Sequence, residues 1–175
     1  MNKFLDKTLL LLVCLIPPSL ITGPFLPDLF LTLVSIFFLL ICFIRKDLKY
    51  FNNLYFYLFI FFYIYICLTS LFSSNPLYSF INSFLYIRFI IFPIGLFYLI
   101  MNHKNVLLFV FISAGLSLIL ALLSGYFQYF FGFNFGDYNY HGKRLTGIFG
   151  KEQKLGSYLV RLMPIILWFI FFFRI

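Results

Sequence analysis

The sequence predicts an all-α, polytopic membrane protein with about six transmembrane helices, and three observations lead there. Hydrophobic residues make up 63% of the 175-residue chain and charged ones 10%, with a mean hydropathy of +1.04, which excludes a water-soluble domain. The 29 Phe and 13 Tyr set against five acidic residues exclude a disordered tail, because such a chain buries itself in any apolar phase. The apolar residues also fall in six runs, near 8–26, 29–44, 54–72, 76–101, 106–124 and 156–175. Each is close to the roughly 20 residues a helix needs to cross the hydrocarbon core. The chain reads as a single transmembrane domain with no room for a large extramembrane one.

The first run follows Lys3 and Lys7 and contains Pro17-Pro18, which must bend or end its helix. A cleaved signal peptide is the rival reading, but no small-x-small cleavage site follows Ile16 and the next segment is again apolar. The turn Gly23-Pro24-Phe25-Leu26-Pro27-Asp28 closes the span. The second run ends at Arg45-Lys46-Asp47-Leu48-Lys49, the densest charge cluster of the chain. The third ends at Ser73-Ser74-Asn75-Pro76, where Asn75 is placed to cap and Pro76 to occupy the first helical position. From there Leu77, Phe80, Ile81, Phe84 and Leu85 recur at helical spacing opposite Ser79, Asn82 and Ser83. This predicts an amphipathic stretch at the outer interface that leads into the fourth span.

Asn102-His103-Lys104-Asn105 is a polar turn before the fifth span. In that span Ser113, Ala114, Gly115, Ser117 and Ala121 predict a packing face, most simply for helices outside this chain. Residues 125–155 then break the pattern with six glycines, an aromatic cluster and most of the polar groups of the second half; a loop this long is expected to be functional. Cys14, Cys42 and Cys67 all lie in apolar runs without metal-ligand spacing, so neither a disulfide framework nor a metal site is expected.

If the spans alternate, Lys3, Lys7, Arg45, Lys46, Lys49, Lys104 and Arg174 share one side, which the positive-inside rule makes cytoplasmic, the amino terminus with it. The net charge of +8 is therefore a topology signal, and nucleic acid is not an expected partner. The third outer loop nevertheless carries Lys143, Arg144, Lys151 and Lys154, a bias that asks for an anionic partner outside. Lys143-Arg144 followed by Gly147 and Gly150, with a helix start expected near Lys151 or Glu152, suits a phosphate group. A basic rim on anionic lipid headgroups is the alternative. His141 is read as a bystander.

Arg88 lies inside the fourth span, where an arginine costs roughly 2.5–3.5 kcal/mol on insertion scales. Its expected partners are a lipid phosphate, a carbonyl freed by Pro93 or a carboxylate outside the chain; snorkelling to the interface is the alternative. Arg161 in the sixth span is expected to snorkel.

Gln128-Tyr129-Phe130, Gly132, the Gly136-Asp137 step, Arg144-Leu145-Thr146-Gly147-Ile148-Phe149 and Gly156-Ser157-Tyr158-Leu159 ahead of Pro164 together resemble the O-antigen ligase and Wzy-type O-antigen polymerase family. Tyr86-Ile87-Arg88-Phe89 after the Ser-Asn-Pro turn is similar to that family's fourth-span region. The resemblance implies a bacterial inner-membrane glycosyltransferase with a GT-C-like membrane domain. Such an enzyme moves a glycan from an undecaprenyl-pyrophosphate carrier to lipid A-core or to a growing glycan, on the periplasmic face and without a metal or other cofactor. It assigns pyrophosphate binding to Arg144, with Lys143 beside it and Arg88 as a second candidate, and assigns no catalytic residue here. Family members are considerably longer, with a second large periplasmic loop bearing a catalytic histidine, which His141 does not replace because it precedes the Arg144 motif. The expectation is thus an amino-terminal portion, inactive alone. A lipid-linked substrate transporter or flippase and a small non-catalytic assembly protein are the competing expectations; the first requires a polar face through several spans, the second leaves the outward basic loop without a purpose.

Overall fold

The structure, a computed structural model, describes residues 2–46, 49–134 and 144–173. They form helices α1 (Asn2–Ser19), α2 (Phe25–Arg45), α3 (Leu54–Leu71), α4 (Pro76–Leu85), α5 (Ile87–Asn102), α6 (Val106–Phe131) and α7 (Leu155–Phe173). Single 3-10 turns lie at Lys49–Phe51 and Gly147–Phe149, and there is no strand among the described residues. The all-helical expectation holds. Three stretches are long and apolar enough to cross a membrane: Phe25–Arg45, Pro76–Asn102 and Val106–Phe131. Phe56–Leu71 and Leu155–Trp168 are shorter apolar helices.

Several element boundaries differ from the sequence reading. Helix α1 starts at Asn2 instead of residue 8 and stops at Ser19, with Pro17 and Pro18 inside its last turn. Proline at 18 removes the N–H that would bond the Cys14 carbonyl, and the Ser113 hydroxyl of α6 donates to that carbonyl instead. The Pro17 carbonyl, at the end of the helix, accepts from the Tyr158 hydroxyl of α7 at 3.1 Å, so two carbonyls at the α1 end find donors on neighbouring helices. Helix α6 runs seven residues past the expected end at 124 and stops where Gly132 takes a left-handed conformation, φ 77°. The expected fourth span is two helices that break at Tyr86. Asn75 occupies the cap position of α4 and Pro76 its first turn, but the Asn75 side chain makes no capping bond.

The chain divides into two compact units, one of Met1–Val13 with Leu29–Lys104 and one of Cys14–Asp28 with Asn105–Ile175. In the first, α2 and α5 approach closely at Gly95, where an added Cβ would stand 3.1 Å from the Phe38 Cβ. Phe38, Tyr98 and Tyr50 stack around that contact, and α3 packs on α4 and α5. In the second unit Ala121 of α6 packs against Leu155, Tyr158 and Leu162 of α7. The small-residue face expected on the fifth span is therefore occupied within the chain: Ala114, Ser117 and Ala121 are buried, whereas a side chain at Gly115 would meet nothing.

Candidate functional site

The second unit contains a buried polar clip at the C-terminal end of α6. Ser117, Ala121, Ser124, Gly125 and Gln128 recur at intervals of one, three and four on one face of that helix, and all are buried. Gln128 is 1% exposed and uses both ends of its amide. Its Oε1 accepts from the backbone N–H groups of Thr146 and Gly147, each at 2.8 Å, and its Nε2 donates to the Thr146 hydroxyl at 3.1 Å. Asn134 is fully buried and donates to that hydroxyl at 2.9 Å and to the Gly150 carbonyl at 2.9 Å. The Ser124 hydroxyl accepts from the Ile148 N–H at 3.0 Å. Three successive backbone donors thus end on side chains of α6, which satisfies the amides that open the 3-10 turn Gly147–Phe149 and have no partner within it.

Glycine at 147 is required twice over. Its φ of 53° lies in the left-handed region, and a Cβ there would come within 2.7 Å of Ser124 Oγ. The Thr-Gly step is held against α6 in a geometry that other residue pairs would strain.

Arg144 is exposed, two residues ahead of the anchored Thr146. The clip constrains the main chain on one side of the guanidinium and leaves the side chain in solvent. Lys143, the other member of the expected basic pair, lies outside the described residues, as do His141, Gly136 and Asp137. Lys151 and Lys154 are exposed, and Lys154 forms an ion pair with Glu152. The helix expected near Lys151 or Glu152 begins at Leu155, after the 3-10 turn at Gly147–Phe149 has used the intervening residues.

Arg88 belongs to the first unit, at the second position of α5. It is half-buried, and its guanidinium donates to the Thr32 hydroxyl of α2 at 3.3 Å and lies 5.2 Å from the Phe89 ring centre. A hydroxyl on a neighbouring helix was not among its expected partners. Ser35, three residues along α2, lies 3.0 Å from the Arg88 carbonyl and the Leu31 carbonyl, so the α2–α5 contact carries a small polar seam. Arg88 and Arg144 lie in different units.

A second buried polar group, missed in the sequence, joins the ends of helices in the first unit. Asp6 of α1 is 8% exposed. Its carboxylate accepts from Arg45 of α2 at 2.8 Å and from the Tyr98 hydroxyl of α5 at 2.7 Å, with His103 Nε2 at 3.9 Å. Arg45 also lies 5.4 Å from the Tyr98 ring centre. The available signal was an acid just ahead of the first apolar run, with the opposite charge closing the next helix. Asn134 and Ser124 were missed as well, although Ser124 stands one helical turn before Gln128.

Chemically, the clip can hold an exposed guanidinium on a fixed stretch of main chain beside an apolar helix, an arrangement suited to a phosphate at the edge of a membrane. No family model matches the chain, and neither a curated protein nor a solved structure matches it.

Proposed function

We propose that this chain forms part of a multi-pass bacterial inner-membrane protein of the O-antigen ligase or polymerase type, which holds an undecaprenyl-pyrophosphate-linked glycan at the periplasmic face for transfer to lipid A-core or to a growing glycan. In this reading α1, α3 and α7 join the three longer helical stretches as six spans of a GT-C-like domain, with the amino terminus in the cytoplasm. The observation that carries it is the clip: Gln128 grips the Thr146-Gly147 backbone and leaves Arg144 exposed just upstream. Arg144, with Lys143 next to it in sequence, binds the pyrophosphate and offsets the charge that develops on it as the glycosyl bond breaks. The meeting of Asp6, Arg45 and His103 supports the orientation, because it brings the start of α1 and the ends of α2 and α5 together, as alternation requires.

The test is binding of undecaprenyl pyrophosphate to the chain in lipid nanodiscs. Arg144→Ala is expected to weaken binding about tenfold, a loss of about 1.4 kcal/mol, and Arg144→Lys to restore part of it. Gln128→Leu is expected to weaken it comparably by releasing the loop. The half-buried Arg88 on Thr32 favours the lipid-linked substrate transporter as second reading. Loss of binding with Arg88→Ala and not with Arg144→Ala would replace the first reading with the second. No loss with either variant would leave a non-catalytic assembly protein.

A further inference from the structure

The outward surface of α6 changes character once along its length. Between Val110 and Gly125 every exposed side chain is aliphatic: Ile112, Leu116, Ile119, Leu120, Leu122 and Leu123. After Gly125 every exposed one is aromatic, Tyr126, Tyr129, Phe130 and Phe131, and Phe133 follows beyond the Gly132 turn. Phe127 stacks on Phe131 and on Phe133, with ring centres at 4.6 and 5.7 Å, so the aromatic surface continues past the helix end to the buried Asn134. Aromatic content alone marks no depth in this chain, because α3 exposes Phe and Tyr among Leu and Ile along its whole length. A sharp boundary of the kind in α6 does.

The place of the boundary agrees with the length of the helix. The 26 residues of α6 rise about 39 Å, against a hydrocarbon core of roughly 30 Å. The surplus of about 9 Å equals the rise from Tyr126 to Phe131, the aromatic turns themselves. Tilt absorbs such a surplus in an evenly apolar helix, but here the surplus differs in kind from the rest. The tyrosine hydroxyls point the same way. Buried Tyr158 donates to the Pro17 carbonyl, whereas the hydroxyls of Tyr126 and Tyr129 bond no described residue and are left for water and lipid headgroups. A ring with an apolar body and a wet tip belongs at the membrane–water interface.

We infer that the last two turns of α6 lie in the headgroup layer of the bilayer, with their aromatic side chains as the anchor that holds the Gln128 clip at that depth. Gln128 projects from the buried face of the same two turns, so the main chain it grips at Thr146 and Gly147 is tied to the anchor. The partner is the interfacial layer itself, and the inference stands apart from any glycan carrier bound at Arg144.

Depth-resolved quenching tests it. In a Trp168→Phe background, which removes the single native indole, Phe130→Trp, Leu116→Trp and Ile148→Trp are made one at a time and read in phosphatidylcholine vesicles. The lipid carries bromine either near the headgroup end or near the methyl end of its acyl chains. Phe130→Trp and Ile148→Trp should be quenched more strongly by the shallow bromine and Leu116→Trp by the deep one, so the ratio inverts along α6. Changing Tyr126, Tyr129 and Phe130 together to Leu should shift the Ile148→Trp ratio towards the deep quencher, because leucine favours the hydrocarbon core. Stronger quenching of Phe130→Trp by deep bromine would overturn the inference by placing the aromatic turns in the core. Quenching by neither lipid would also overturn it, since bulk water or another protein would then cover that face. An Ile148→Trp ratio unmoved by the three leucines would overturn the anchoring of the clip.

Discussion

The two units solve one problem in different ways. Each must satisfy polar groups buried among apolar helices, and the first does so with charge, the second without it. Around Asp6 every link is between side chains: a carboxylate, a guanidinium and a phenol tie α1, α2 and α5 together at their ends. Around Gln128 the links run mostly from neutral side chains to main chain, so α6 and Asn134 just beyond it hold the path of residues 146–150 and leave the side chains at 144, 148 and 151 outside. An ionic cluster locks particular residues to one another and suits architecture. A neutral amide clip fixes a backbone while its outward side chains stay available, and suits a binding loop.

Substitutions at three positions test this contrast. The largest effect is expected for Asp6→Leu, which leaves Arg45 and Tyr98 without their acceptor and should cost the first unit about 3 kcal/mol. Hydrogen exchange should show faster exchange in α2 and α5 with α6 unchanged; equal loss in both units would abolish the distinction between them. Gln128→Leu comes next, at about 2 kcal/mol, because two buried N–H groups lose their acceptor. Its exchange signature should be confined to the Thr146 and Gly147 amides and their surroundings, and Gln128→Glu, which keeps both acceptances, should recover most of it. Protection loss that spreads into α2 would contradict a local clip. The smallest effect, about 1 kcal/mol, belongs to Tyr98→Phe, which removes one hydrogen bond to Asp6 and leaves the Arg45 pair intact. If it equalled Asp6→Leu, the phenol and not the ion pair would be the main link.

Much of the helical pattern was readable in the sequence, and its misreadings have local causes. The amphipathic stretch from Leu77 to Leu85 was legible from spacing alone and forms α4, ahead of the break at Tyr86. Helix α1 ends at Ser19, one residue past the proline pair that is expected to bend or end it, while its start at Asn2 precedes the apolar run because hydropathy carries no signal for its polar first turns. The Cys14 carbonyl, which Pro18 orphans, and the Pro17 carbonyl at the helix end accept from the hydroxyls of Ser113 and Tyr158. The loop expected from 125, on the six glycines, aromatic cluster and polar groups that follow, begins later, because the left-handed residue that ends α6 is Gly132. At the candidate site the motif residues Gln128, Thr146 and Gly147 were singled out from sequence as pieces of a pattern. Nothing in their spacing showed that one amide bonds the other two residues' backbone, and Asn134 and Ser124 were not singled out at all.

The sequence by itself determined that this is a helical chain with stretches able to cross a membrane, because hydropathy and helical periodicity are local properties that no later contact reverses. Only the tertiary structure decided where the polar minority goes. Asp6, Arg45, Arg88, Gln128 and Asn134 each carry donors or acceptors that an apolar environment forces into pairs, and the choice of partner depends on which helix ends the fold brings within hydrogen-bonding distance. Distance along the chain does not encode that choice: Asp6 meets Tyr98 across 92 residues and Gln128 meets Thr146 across 18, and both contacts follow from the packing of apolar faces that have no polar information of their own.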